Sequence, residues 1–471
     1  MSLNKALAQN TAIQIIGKVI STGLGLAAVA ILTRELGTVK FGWYVTATSF
    51  LQFIGILIDF GFTVTASNML SEPEHDKTKL FNTIFTWRFF TALATFGIAP
   101  IIILFFPYGK EIKIAVAVTS LSFFSNTLNQ VFIGYYRQKL SMFIATASEI
   151  LGRVILVGGF IILSVTNAGF LPLMSIITIS AVTSTVYLIY KFGRLSFCFD
   201  RTISKALFYK MWPTALSVIF NSIYLQADRV ILPLFVSQSE VGLYGAAYRV
   251  LDIVIQIAAL VMGMVMPLIT YSWSRNHFSE FKERYQLAID LIALLLFPVV
   301  AGLFVLAEPI MRFVAGASFI KSGLMLQWLS ISILGTAFGM AFGHIVLAIN
   351  RQKEALLIYG TDAILSLTGY LIFIPSYGWI GAVWVTIFSE IYAGLFLLLI
   401  AVVYSGVIPD LSRVSRVFLA SVLMGTIVMW SNLSLFPSVI LGVVIYSALI
   451  LMLKVVKKSS VLEILNLKNI A

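Results

Sequence analysis

Charge is scarce in this sequence. Only 11% of its 471 residues are Asp, Glu, Lys or Arg, where a soluble domain carries roughly a quarter. With 59% hydrophobic residues and a mean hydropathy of +0.98, polar side chains are too few to cover the apolar bulk, and a soluble globular fold is excluded. The same balance excludes disorder, which needs low hydrophobicity and high charge. Cysteine is nearly missing. Cys198 stands alone, so there is no internal disulfide and no metal or redox spacing, and it is read as inert. The three histidines, His75, His277 and His344, are far apart and no HExxH pair occurs, which leaves no zinc-enzyme pattern. No Gly-rich phosphate loop ending in Lys is present, so neither ATP hydrolysis nor any bound cofactor is expected. Long polar loops are lacking too. The longest, about 191–210 and 272–286, leave no room for a soluble catalytic domain.

Long apolar runs are what the chain has. They rule against a transmembrane barrel, whose strands alternate polar and apolar, and predict an all-α polytopic membrane protein. About fourteen segments reach the roughly 20 apolar residues a spanning helix needs: 10–33, 41–63, 82–107, 113–135, 142–164, 169–190, 211–236, 242–270, 287–307, 322–349, 355–375, 377–404, 414–433 and 437–456. The first lacks a small-residue cleavage site and is expected to remain as a span. The tail, 457–471, alternates apolar and polar residues and reads either as a surface-lying segment or as a frayed end.

Basic residues orient the spans, because Lys and Arg collect in cytoplasmic loops. With the N-terminus inside, 21 of the 32 Lys and Arg fall in inside loops and 6 outside, the other five being Lys18, Arg88, Arg153, Arg229 and Arg249 within spans. The net charge of +12 is therefore a topology signal, not a nucleic-acid patch. Both termini are expected in the cytoplasm.

The chain also resembles itself at an offset of roughly 200–215. Phe41-Gly42-Trp43-Tyr44 matches Val241-Gly242-Leu243-Tyr244, Arg137-Gln138-Lys139 matches Arg351-Gln352-Lys353, and Ala168-Gly169 matches Tyr377-Gly378. The matches lie six spans apart, so the halves share an orientation and are related by an axis along the membrane normal. This predicts a six-helix bundle at 1–206, a second at 207–410, and two extra helices with a tail at 411–471. Transporters built this way bind substrate near the midplane and expose it to alternate sides.

Three groups of residues then resemble a known family. They are Arg34-Glu35-Leu36-Gly37, Phe41-Gly42-x-Tyr44 and Asp59-Phe60-Gly61 in the first half, Asp228-Arg229 with Glu240-Val241-Gly242-x-Tyr244 and Ala247-Tyr248-Arg249 in the second, and Phe313-Val314-Ala315-Gly316 and Tyr377-Gly378-Trp379-Ile380-Gly381-Ala382 beyond. Together they are similar to the polysaccharide flippases of the multidrug/oligosaccharidyl-lipid/polysaccharide exporter superfamily. The resemblance implies transport of an undecaprenyl-pyrophosphate-linked oligosaccharide to the outer leaflet of a bacterial inner membrane, for O-antigen, capsule or exopolysaccharide assembly. Membrane lipid and polymerisation machinery are the implied partners. It also implies that Asp228 and Arg249 help hold the outer gate. Fourteen spans depart from the twelve of many O-antigen members and match the lipid II flippases.

Intramembrane ionisable residues are costly and mark cavities or pairs. Arg153, about 16 Å into its helix at 1.5 Å per residue, Arg88, Lys18 and Arg249 are the candidate cationic wall for a pyrophosphate, since Arg donates a bidentate fork to phosphate. Structural alternatives stand beside each: Glu149 four residues before Arg153 forms a favourable i,i+4 pair, Asp252 is three after Arg249, and Lys18 and Arg88 can snorkel. Asn126, Asn129 and Gln130 share one helical face, as do Asn221 and Tyr224. These are candidate sugar contacts, with interhelical hydrogen bonding as the alternative. Asp59, Asp362 and Glu390 have no basic neighbour at helical spacing. Burial disfavours their charged form, so Glu390 or Asp362 is the candidate for proton-coupled antiport, with sodium or a bare concentration gradient left open.

Two other functions are weighed. A multidrug cation antiporter needs carboxylates where the amino-terminal spans carry Lys18, Arg88 and Arg153. A membrane glycan polymerase or ligase usually has one large outside loop, and every outside loop here is short.

Overall fold

The computed structural model describes residues 3–71 and 76–455. The tail at 457–471 and His75 lie outside the described residues. Within them the chain is helical and carries no strand: α1 (Leu3–Asp59), α2 (Phe62–Ser71), α3 (Lys77–Ile102), α4 (Lys110–Gln138), α5 (Met142–Val165), α6 (Phe170–Phe192), α7 (Arg201–Phe235), α8 (Gln238–Ser274), α9 (Phe278–Ala315), α10 (Ser322–Ala348), α11 (Gln352–Tyr377), α12 (Trp379–Ser405), α13 (Ser412–Trp430) and α14 (Leu435–Met452). Among the described residues twelve helices are long and apolar enough to cross a membrane. The first of these is two spans in one, because Gly37 at φ 62° breaks α1. A left-handed residue interrupts the helical ladder, and glycine adopts that conformation without a Cβ penalty. The 29-residue α4 falls short of the apolar criterion because Ser, Thr and Asn stud it. With α1 counted twice and α4 included, the described chain has the fourteen long segments expected.

The turns follow local chemistry. Phe60 and Gly61, both at positive φ, end α1 within the Asp59-Phe60-Gly61 motif. The Asp76 side chain caps α3 and the Asp200 side chain caps α7, each accepting a backbone N–H of the first turn. Gly169 and Gly378, matched in the repeat, both turn left-handed immediately before a helix.

The helices divide into two compact units. Unit 1 is 1–245 with 314–318 and 370–378, and unit 2 holds the rest. In unit 1 an aromatic cluster fills one end, Phe81 stacking on Phe192 at 4.3 Å and tilting against Phe132 at 5.5 Å. Arg34 fastens a family motif by donating to Val314 O at 3.0 Å, and Glu35 accepts the Ser164 hydroxyl at 2.8 Å. The repeat motifs meet face to face. A Cβ on Gly42 would lie 1.8 Å from Gln238 O, and one on Gly242 would lie 2.0 Å from Thr38 O. The two contacts differ by 200 in both residues, as a local twofold requires. In unit 2, α10 and α12 cross on small residues, with the Cβ position of Gly335 2.7 Å from the Glu390 carbonyl carbon and Gly339 facing Gly394. The two appended helices are bound to α9: Tyr446 donates to Leu294 O at 2.7 Å and Arg413 pairs with Asp290 at 2.9 Å.

Candidate functional site: a cationic cavity in unit 1

A cavity of about 520 Å³ lies among α1, α4, α5 and α6. Helix α4 presents Asn126, Asn129, Gln130 and Arg137, α1 contributes Lys18, α5 contributes Ser148, Glu149 and Arg153, and α6 contributes Ser180 and Ser184. Helical periodicity explains the polar wall, since Asn126, Asn129 and Gln130 occupy one face of α4. The opposite wall is set by a close crossing of α5 and α6. Ser148 and Ser184 exchange hydroxyl-to-carbonyl bonds at 2.9 and 3.0 Å, and Ser180 donates to Gly152 O at 2.7 Å. Gly152 permits this, because a Cβ there would sit 2.2 Å from Ser184 Oγ.

Lys18, Arg137 and Arg153 face a single carboxylate, Glu149, so the lining carries two net positive charges. Arg153 does not pair with Glu149. Its guanidinium lies against Gly25 of α1, 3.7 Å from where a Cβ would be, and Glu149 instead accepts the hydroxyl of Ser21. Among the described residues no ion pair holds Lys18, Arg137 or Arg153. A half-buried guanidinium that no carboxylate pairs with is arranged to meet an anion or water. A smaller cavity of about 240 Å³, lined by Thr63, Ser67 and Asn68 of α2, shares Gln130, Ile133 and Arg137 with the first.

Comparison with known proteins fixes the family. A family model described as polysaccharide biosynthesis protein matches residues 31–323. The chain belongs to that family. Among curated proteins it is 22% identical to a probable low-salt glycan biosynthesis flippase of Haloferax volcanii, over 98% of this chain and 99% of the relative. It is 24% identical to the succinoglycan biosynthesis transport protein of Rhizobium meliloti, over 70% of this chain and 66% of that one. Among solved structures, the lipid II flippase MurJ in an inward closed conformation superposes with a TM-score of 0.77 at 18% identity, covering 92% of this chain and 97% of that chain. An inward-facing multidrug resistance transporter of the MATE family, in the MOP superfamily, reaches 0.60 at 15% identity, covering 84% of this chain and 94% of that chain. The family member thus has a MurJ-like, multi-pass fold.

Of the residues singled out from sequence, Lys18, Arg153, Asn126, Asn129 and Gln130 line the one cavity. Asn129 also takes a hydrogen bond from Thr185 at 2.8 Å, tying α4 to α6. Arg88 does not join them. It is 6% exposed, bonded to Asp59 and Thr63 and seated 4.9 Å from the centre of the Phe62 ring. A buried guanidinium needs a counter-charge, and the break at Phe60-Gly61 brings Asp59 to it from another helix. Asp59 is accordingly not an isolated acid: it accepts Arg88 and, at 2.7 Å, the Thr63 hydroxyl. Asn221 and Tyr224 are absent from the lining and bond each other at 3.3 Å. Arg249 stands half-buried on α8 in unit 2, also outside this lining. Asp228 is 1% exposed and accepts the Tyr244 hydroxyl at 2.8 Å. In unit 2 Asp362 is fully buried. One of its oxygens accepts Ser389 at 2.8 Å and the other has no partner among the described residues. Glu390, next to Ser389, is buried on the face of α12 that meets α10.

Sequence reasoning passed over Arg137, Ser148, Ser180 and Ser184. Arg137 read only as a loop charge. The serines carried a signal in their spacing, Ser148 to Gly152 and Ser180 to Ser184, which sets small residues one turn apart on facing helices.

Proposed function

We propose that the chain is a flippase that carries an undecaprenyl-pyrophosphate-linked oligosaccharide from the cytoplasmic to the outer leaflet of a bacterial cytoplasmic membrane, with both termini inside, for O-antigen, capsule or exopolysaccharide assembly. The observation that supports this most is the excess of cations over carboxylates in the unit 1 cavity. A pyrophosphate is repelled by hydrocarbon and attracted by Lys18 and Arg153, whose charges act strongly where water is scarce. The amides of Asn126, Asn129 and Gln130 offer donors and acceptors to sugar hydroxyls. The polyprenyl tail remains in lipid. An apolar cavity of about 320 Å³ in unit 2, walled by Phe297, Phe304, Phe418 and Met429, supports hydrocarbon contact at α13. A parallel repeat gives the alternating exposure that releases the head group outside. The polysaccharide polymerase machinery then takes it up. Asp362 and Glu390 serve as coupling acids, exchanging a proton, with sodium as the competing ion.

The lipid II flippase reading is favoured by one observation, the MurJ-like fold, and both substrates present a pyrophosphate. A cationic drug is disfavoured by the sign of the lining. Flipping of a fluorescent lipid-linked oligosaccharide in vesicles tests the proposal. Arg153→Gln is expected to lower the rate at least tenfold with the melting temperature unchanged, and Arg153→Lys to recover part of it. Undiminished flipping by Arg153→Gln refutes the assignment, and transport of lipid II alone replaces the substrate.

A further inference from the structure

The segment joining α6 to α7 forms a surface unrelated to the cavity. Gly193, at φ 88°, turns the chain off α6, and 194–200, without regular secondary structure, then packs against α3. Ser196 accepts from Asn82 at 2.8 Å, the Cys198 N–H donates to Thr86 Oγ1 at 2.9 Å, and Asp200 pairs with Lys79 at 2.7 Å. So strapped, the segment holds Phe197 5.1 Å from Phe89 and Phe199 5.6 Å from Trp87, yet leaves them 59% and 61% exposed. Helix α7 continues the surface. It has 35 residues, about 52 Å at 1.5 Å per residue, against a hydrocarbon core of about 30 Å, so its first turns project beyond that core. Ile203, Leu207 and Met211 are buried toward unit 1. On the opposite side, Arg201, Lys205, Phe208 and Trp212 fall at i, i+4, i+7 and i+11, one exposed stripe roughly 60° wide. Its cations come first and its aromatics follow, deeper along the helix. Arg194, Arg201 and Lys205 have no ion pair among the described residues, since the neighbouring carboxylate, Asp200, is taken by Lys79.

We propose that this surface is a binding site for an anionic phospholipid of the cytoplasmic leaflet, with the phosphate on Arg194, Arg201 and Lys205 and the upper acyl chain against Phe197, Phe199 and Phe208. Charge complementarity selects the head group, and aromatic rings at the interface are suited to the boundary between head group and tail. The site is independent of the cavity, so its failure and that of the flippase reading are separable.

The test is native mass spectrometry of the full chain released from nanodiscs of mixed phosphatidylglycerol and phosphatidylcholine. The wild type is expected to retain phosphatidylglycerol preferentially, with each cation contributing roughly a fivefold preference. The R194Q/R201Q/K205Q variant loses that preference. The charge-keeping R194K/R201K/K205R variant retains it, as does R275Q/K282Q/K353Q, which removes the same charge elsewhere on the cytoplasmic side. Three results overturn the proposal: preference retained by R194Q/R201Q/K205Q, equal loss in R275Q/K282Q/K353Q, or a lipid-linked glycan in place of phospholipid on protein taken directly from the cell membrane.

Discussion

At the scale of single residues, two arginines that look alike in sequence do different work. Arg88 and Arg153 are both intramembrane cations, and spacing misleads for each: it offers Arg88 no acid and offers Arg153 one that it does not use. Asp59 meets Arg88 only because the chain reverses at Phe60-Gly61, which brings together residues 29 apart. No one-dimensional pattern encodes that meeting. Glu149 stands at the ideal spacing for Arg153, yet it turns to Ser21. The roles therefore separate by what removal does. Breaking a buried pair leaves an uncompensated charge and costs about 3–5 kcal/mol, whereas replacing both partners by apolar groups is far milder. Arg88→Met and Asp59→Leu are each expected to lower the melting temperature in detergent sharply. The double variant should recover most of the loss. If both single variants melt with the wild type, the pair has no structural role.

At the scale of elements, glycine positions tell which helix contacts have no slack. Gly42 and Gly242 sit against backbone carbonyls at 1.8 and 2.0 Å from their would-be Cβ atoms, and backbone cannot step aside as a side chain does. Gly37 differs: its φ of 62° is unfavourable for other residues, but the space around it is open. Gly42→Ala and Gly242→Ala are expected to destabilise by about 3 kcal/mol or more through overpacking, and by similar amounts because the contacts are equivalent. Gly37→Ala places an alanine at φ 62°, ψ −175°, a backbone region almost reserved for glycine, and is expected to cost roughly 1–3 kcal/mol from strain alone. Thermal unfolding of the three variants in one detergent ranks them, and a Gly37→Ala defect equal to the others contradicts the assignment. The elements themselves were legible. Long apolar runs located the spans, and the Gly-x-Tyr repeat marked two equivalent segments, but their contact was not legible and appears only in the fold. Which face of α5 meets α6 was not legible, because Ser148, Gly152 and Ser184 act as small residues and not as apolar ones, and hydropathy does not register size.

At the scale of the whole molecule, charge placement and charge burial make separate claims. The Lys and Arg bias predicts the side on which each loop lies. In a Cys198→Ser background, Lys110→Cys is expected to react with an impermeant thiol reagent in intact cells and Lys139→Cys only after permeabilisation. Reversed labelling inverts the topology and with it the direction of transport. Burial concerns energy input. Asp362 is fully covered, and Ser389 satisfies only one of its oxygens. An oxygen so placed lacks a protein partner among the described residues, and ion exchange there requires the surrounding helices to open a path to one side. If that exchange drives flipping, a pH gradient across vesicles accelerates the wild type several-fold, and Asp362→Asn, permanently neutral and similar in size, removes the acceleration while keeping the ungraded rate. Glu390→Gln locates the second acid by the same measure. Acceleration by a sodium gradient at constant pH assigns the site to sodium instead. Indifference of the wild type to both gradients leaves Asp362 a structural acid held by Ser389, and transport driven by the substrate's own concentration difference.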